Sequence, residues 1–260
     1  MVGLVPTMGY LHEGHLSLVD LALERADMVA VSIFVNPLQF GPDEDLDRYP
    51  RDTDRDLAVL EERGVDLAFL PSADVMYPGG APEVTVDPGS MGQRLCGAYR
   101  AGHFRGVLTV VARLFGLFRP DLAVFGQKDF QQSALIRRMV QDLELGVEVL
   151  AGPTVRENDG LALSSRNVYL SPEERADAVG LSRALRAVQK AFDGGVRSGP
   201  DLEETLREEL NRYPLLDLQY GEVVDPDTLE RQLEAKPGST AVLAAYCGTT
   251  RLIDNAVLRT

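Results

Sequence analysis

The stretch VGLVPTMGYLHEGHLSLVDLALERADMVAVSIFV, residues 2–35, sets the architecture. Its apolar start (2–6) reads as a strand, a turn follows at 7–9, and a helix begins around Glu13. Through 16–27 the leucines and Val19 recur at helical spacing before the segment ends in charge. MVAVSIFV (28–35) is a second strand, apolar almost throughout, as a parallel strand buried on both faces requires. Such a strand–helix–strand unit closes by a right-handed crossover.

The same alternation continues outward. The spacing predicts a helix over 52–63, a strand at 65–70, an irregular stretch to about 104 and a helix over 106–118. A strand at 122–126, a helix over 131–143 and a strand at 147–152 complete an α/β parallel sheet covered on both faces. After Asn167 the character changes. Ser171 as N-cap, Pro172 in the first turn and Glu174 three residues on form a capping box opening a long helix to about 193. GGVRSGP (194–200) breaks the chain, a helix follows over 201–213, and short strands lie near 216–224 and 240–247. The expectation is a sheet domain at 1–168 and a smaller C-terminal α+β domain at 169–260.

The 260 residues carry 40 acidic against 26 basic groups, a net charge of −14. That field repels nucleic acid and anionic membrane, so an anionic ligand must be held by a local basic pocket. No apolar run is long enough to span a bilayer, and no basic-then-apolar export segment opens the chain. Cys96 and Cys247 read as reduced thiols of a cytoplasmic protein.

In an open parallel sheet, ligands bind beyond the carboxyl ends of the strands, where helix N-termini present backbone N–H groups. PTMGYLHEGHLSL (6–18) lies there. His12 and His15 share a helix face three residues apart, and Gly14 between them lets a ligand approach the backbone. Two imidazoles at a helix N-terminus suit an anion whose charge builds during reaction, such as a nucleotide α-phosphate under attack. A zinc pair needs a third ligand, and no HExxH or Cys–His neighbour supplies one. Neither GxGxxG nor GxxxxGK[ST] occurs. FGQKDFQQ (125–132) puts Lys128 and Asp129 after an apolar strand, and DGLALSSRN (159–167) brings Ser164, Ser165 and Arg166 together. Taken singly, the first is equally a solvated turn, and the second is either a phosphate clamp or a hydroxyl-capped turn.

Taken together, PTMGYLHEGH, FVNPLQFGPDEDLDRYPRD, HFRGVLTVVARLF, FGQKDFQQ and TVRENDGLALSSRN, in this order, resemble the pantoate–β-alanine ligase (pantothenate synthetase) family. The motifs span 6–167, and the C-terminal part has the family's size and character. The resemblance implies a Rossmann-like domain of nucleotidylyltransferase type. It also implies an ATP-dependent ligation of (R)-pantoate with β-alanine through a pantoyl adenylate, releasing AMP and pyrophosphate. Magnesium would accompany ATP, with no organic prosthetic group, no nucleic acid or membrane partner, and a cytoplasmic homodimer as the working form.

Residue by residue, the resemblance implies that Met8, Gly9, Tyr10, Leu11, His12, Glu13, Gly14 and His15 bind ATP, His15 as the catalytic proton donor and His12 beside the same phosphate. Gly126, Gln127, Lys128 and Asp129 would form a nucleotide loop, with Lys128 aimed at phosphate. Val155 would contact adenine, and Leu163, Ser164, Ser165 and Arg166 would clamp the triphosphate. Gln39 and Gln132 would hold pantoate, with Gln39 also contacting β-alanine, and Asn36 would join them in the substrate site. Asp56 would help hold magnesium. For Asn36, Tyr49 and His103 a packing or supporting role fits the motif equally well. Leu163 stands where the family often has methionine, a volume-conserving change. Another adenylate-forming transferase and a nucleotide sensor without turnover are the competing readings.

Overall fold

The structure, a computed structural model, describes residues 1–42 and 44–260. Its first unit, Met1–Thr154, holds a five-stranded parallel sheet in the order β3-β2-β1-β4-β5. The strands are β1 (Val2–Thr7), β2 (Met28–Ile33), β3 (Leu67–Phe69), β4 (Leu122–Gly126) and β5 (Glu148–Gly152). Between them run α1 (Glu13–Leu23), α2 (Thr53–Glu62), α3 (Ala73–Met76), α4 (Cys96–Tyr99), α5 (His103–Phe118) and α6 (Phe130–Asp142). Side chains alternate between the faces, and the central strands β1, β2 and β4 are buried on both. Val5, Val31 and Val124 pack with Leu16 and Val19 of α1 and Leu60 of α2, while Leu4, Ala30 and Ala123 are buried on the other side. The expected α/β class and parallel sheet are therefore present.

The strand order runs outward from β1 in one direction through β2 and β3, then returns to the other side of β1 for β4 and β5. The reversal makes the carboxyl ends of β1 and β4 a topological switch point, where the diverging connections leave a crevice. The irregular stretch contains α3, α4 and a short 3₁₀ turn at Gly89–Gln93.

The second unit, Val155–Thr260, begins earlier than the expected boundary at 168. It contains α7 (Pro172–Ala178), α8 (Gly180–Asp193), α9 (Gly199–Leu210) and an antiparallel sheet of β6 (Leu216–Val224), β7 (Thr240–Cys247) and β8 (Thr250–Val257). The segment after β5 folds into this unit for two reasons. Leu161 is part of its apolar core with Leu181, Leu202 and Leu243. Arg156 makes two bonds of 2.6 and 2.9 Å to Asp254 on β8, whose side chain is only 2% exposed.

The Ser171 capping box forms as expected. The long helix is instead two, broken at Val179, where Gly180 packs so tightly against Tyr213 that a Cβ would come within 2.5 Å of its ring. Strand β8 escapes the apolar pattern because it carries Asp254 and Asn255, both buried.

Removing one partner of a buried ion pair strands the other charge. Arg156→Ala is expected to lower stability by about 3 kcal/mol near neutral pH. Urea unfolding checks this, and a loss below about 1 kcal/mol would mean the pair is not what holds the segment in the second unit.

Candidate active site

The turn after β1 is bent by two residues in the left-handed region, Gly9 (φ 81°) and Tyr10 (φ 51°). A side chain at Gly9 would sit 2.8 Å from Ile33 Cγ2 as well as strain the backbone, so glycine is required there. Thr7 Oγ1 donates to the Ser32 carbonyl (2.8 Å) and accepts from the Gly9 N–H (3.2 Å). Asp56, buried near the start of α2, accepts the Tyr10 and Leu11 N–H groups on its two oxygens, each at 2.7 Å. These bonds offset the cost of a non-glycine residue in the left-handed region.

Burial pushes the Asp56 carboxyl above its ordinary range, with the two amide donors pulling it partly back. Asp56 therefore braces the turn. Its side chain is enclosed, and both oxygens are committed to the backbone. Among the described residues, no group of three or more His, Cys, Asp or Glu side chains is arranged to hold a metal ion.

The brace delivers α1 with histidines at its cap. His12 Nδ1 accepts from the Gly14 N–H at 3.1 Å, and His15 Nδ1 accepts from the His12 N–H at 3.3 Å, a reciprocal capping box built from imidazoles. Because a backbone N–H can only donate, each Nδ1 is the bare nitrogen and each Nε2 carries the proton. The rings lie 4.1 Å apart, tilted by 34°. Desolvation, with Lys128 nearby, lowers His12 to about 4; desolvation, then His12 and Lys128, lowers His15 to about 3. Both rings are neutral at pH 7. His12 and His15 thus present two fixed Nε2–H donors beside the amides of a helix N-terminus.

Lys128 lies in a 3₁₀ turn, Gln127–Asp129, directly after β4. Its charge is felt by both histidines, so the switch point brings His12, His15 and Lys128 together as the motifs require. Four residues beyond Lys128, Gln132 is half-buried on α6, and among the described residues its amide has no hydrogen-bond partner. Its neighbour Gln131 is buried, donating to the Met91 and Arg94 carbonyls and accepting from the Cys96 N–H.

Gln39 closes a 3₁₀ turn, Pro37–Gln39. Its Oε1 accepts from Asn36 Nδ2 at 3.1 Å, and its Nε2 lies 3.1 Å from Met8 Sδ, which joins the Gln39 turn to the histidine turn. Asn36 is 1% exposed. Its amide donates to Gln39 and to the Gly106 carbonyl (3.1 Å), and its oxygen accepts from Tyr77 Oη (2.8 Å) and the Leu38 N–H. All its polar atoms are used within the protein, and Asn36 holds the Gln39 side chain. Tyr49 is packed edge-on against Phe40. His103 bonds the Gln39 carbonyl through Nδ1 at 2.8 Å. Tyr77 is hidden from sequence reasoning because it lies in the irregular stretch, where no periodicity marks it; burial raises its hydroxyl to about 12.

The remaining expected residues belong to the second unit. The Leu163 N–H donates to the Val155 carbonyl at 3.0 Å, closing a narrow loop, and Ser164 Oγ accepts from the Arg166 N–H at 3.3 Å to cap the 3₁₀ turn Ser165–Tyr169. The capped-turn reading of DGLALSSRN is thus realised at Ser164, whose O–H proton is not spent on the cap. Asn167 Nδ2 bonds the Ala162 carbonyl and holds the loop from below.

The family model for pantoate-beta-alanine ligase matches residues 1–257. The chain belongs to the pantoate–β-alanine ligase family. It is 56% identical over 254 residues to the pantothenate synthetase of Thermoanaerobacter sp. (strain X514), covering 98% of this chain and 89% of that protein. The crystal structure of pantothenate synthetase from Thermus thermophilus superposes with a TM-score of 0.96 at 50% identity, covering 100% of this chain and 94% of that one. The pantoate–β-alanine ligase of Francisella tularensis, complexed with beta-gamma ATP and β-alanine, superposes at 0.82 with 34% identity, covering 100% of this chain and 90% of that one. The chain is an ATP-dependent ligase that forms pantothenate from pantoate and β-alanine.

Both site histidines titrate lower in the folded chain than the ordinary value of 6.5. Between about 6.5 and about 4 the folded state therefore binds fewer protons than the unfolded state. Stability from this source is complete above the unfolded pKa and is lost as pH falls through that window. His12→Asn keeps an N-cap acceptor and removes the titration. Urea midpoints from about pH 7 to about 4.5 are expected to fall less steeply for His12→Asn than for the parent, and parallel curves would refute a neutral His12.

Proposed function

We propose that ligation proceeds through a pantoyl adenylate, with His12, His15 and Lys128 holding ATP's phosphates and Gln39 and Gln132 holding pantoate. A pantoate carboxylate oxygen attacks the α-phosphorus, and the bond to the bridging β-phosphate oxygen breaks, releasing pyrophosphate. The β-alanine amine then attacks the acyl carbon, AMP leaves, and the amine sheds a proton. No protein nucleophile is needed, so catalysis is alignment and charge stabilisation.

The observation that carries this reading is the pair of neutral imidazoles whose Nε2–H groups flank a helix N-terminus at the switch point. Donors of fixed direction stabilise charge as it develops, with no proton changing hands. We therefore read His15 as a hydrogen-bond donor to the reacting phosphate. Ser164, Ser165 and Arg166 are proposed as further phosphate ligands, and Val155 as an adenine contact, on their chemistry and family motif. Magnesium is proposed to enter as part of the Mg-ATP substrate.

Gln39 suits a nucleophilic carboxylate. A neutral amide donates to it without forming an ion pair that would quench its reactivity. We also propose a cytoplasmic homodimer formed through the N-terminal unit. Sedimentation at micromolar concentration is expected to give twice the chain mass, and a monomer would refute it.

Product analysis with ATP, magnesium, pantoate and β-alanine tests the reaction. Pantothenate and AMP in equal amounts, abolished by any omission, are expected. Tight ATP binding without turnover would favour a sensor. His15→Ala is expected to leave pantoate binding near normal and slow adenylate formation roughly 10²–10³-fold, the usual loss for one stabilising donor. An unchanged single-turnover rate would remove His15 from the role.

A further inference from the structure

Gln39 is held by its main chain as firmly as by its amide. The first turn of α5 presents His103, whose Nδ1 lies 2.8 Å from the Gln39 carbonyl oxygen. Arg100 Nη1 lies 2.9 Å from His103 Nε2, and Arg100 Nη2 lies 3.4 Å from the same carbonyl. Glu44 in turn takes Arg100 Nε at 2.7 Å and Nη2 at 2.5 Å. Both members of that ion pair are mostly enclosed, with side chains 15% and 26% exposed.

The polarity of this chain of bonds is forced at every link. A carboxylate only accepts and a guanidinium only donates, so His103 Nε2 must accept and Nδ1 must carry the proton. A carbonyl oxygen only accepts, which is what the Nδ1–H requires. One further contact seats the turn on α5. A Cβ at Gly106 would come within 2.2 Å of the Leu38 carbonyl oxygen and 2.7 Å of Gln39 N, so only glycine admits the backbone this close. The Gly106 carbonyl also receives Asn36 Nδ2.

We infer that Glu44, Arg100 and His103 form a positioning relay that fixes the Gln39 main chain and so aims its amide at the substrate carboxylate. This deepens the substrate role proposed for Gln39 and rests on it. None of the three need touch a substrate. Glu44 follows Gln39 by five residues, so the relay also ties the segment after the 3₁₀ turn back to α5. The geometry predicts that loss of the relay degrades pantoate handling while sparing ATP.

Steady-state kinetics for His103→Ala, His103→Asn, Gln39→Ala and the double variant Gln39→Ala/His103→Ala test this, with melting temperature followed throughout. His103→Ala is expected to raise the KM for pantoate about tenfold and leave that for ATP within about twofold, a displaced side chain sufficing for such losses. Asn places an N–H donor near the position of Nδ1, so His103→Asn is expected to recover most of the loss. In the Gln39→Ala background, His103→Ala is expected to add nothing, since the side chain it aims is gone.

Equal rises for ATP and pantoate, or the full effect persisting in the Gln39→Ala background, would overturn the relay. A Gln39→Ala variant with normal pantoate kinetics would instead overturn the role of Gln39 itself. Arg100→Leu, which leaves His103 in place, is read by the same criteria should His103→Ala fold poorly.

Discussion

Everything at the sheet's carboxyl edge depends on Asp56 accepting two backbone N–H groups from the turn after β1. That turn must reverse through Gly9 and Tyr10 in the left-handed region before α1 can begin, a conformation that costs free energy at Tyr10. A buried carboxylate with both oxygens satisfied makes the conformation the stable one. Without it, the amides of Tyr10 and Leu11 would face an apolar interior unpaired. The position of α1's N-terminus, and with it both histidines, follows from a residue on a different helix.

The histidines show how local capping sets chemistry. Serine, threonine and acidic caps occupy N-termini through an acceptor oxygen. Here the acceptor is an imidazole nitrogen, and using Nδ1 for the cap dictates that the proton resides on Nε2. Burial then keeps the rings uncharged at neutral pH. One structural requirement, satisfying helix-start amides, thereby yields two hydrogen-bond donors of fixed tautomer.

Much of this is legible in the residues. Apolar runs separated by helical spacing mark all five strands of the parallel sheet, and the glycine and histidine placement marks the turn after β1. Three things are not legible. The assignment of 155–167 to the second unit depends on Arg156 meeting Asp254, a pair 98 residues apart that no local pattern reveals. The role of Asp56 is hidden because a carboxylate that braces amides and one that binds a cation look identical in sequence. Asn36 groups with the substrate ligands by sequence because it stands three residues from Gln39. Its bonds to Gln39, Gly106, Tyr77 and Leu38, from three separate segments, are visible only in the structure.

The charges near Gln39 are arranged with a consistent logic. A ligase that uses a carboxylate as its nucleophile gains from holding it near positive potential but loses if a guanidinium pairs with it outright, since a bidentate pair is among the strongest anion contacts available. Arg100 lies within reach of the Gln39 carbonyl, yet Glu44 occupies its Nε and Nη2 and His103 its Nη1. The arginine is spent on structure. Tyr77 is held in its neutral form, its hydroxyl given to Asn36. The Gln39 amide at this corner is neutral, its Oε1 held by Asn36 and its Nε2 set against Met8 Sδ, and a neutral amide is the group least able to quench a carboxylate. In a chain of net charge −14, the full charges at this corner are paired with one another and serve the scaffold.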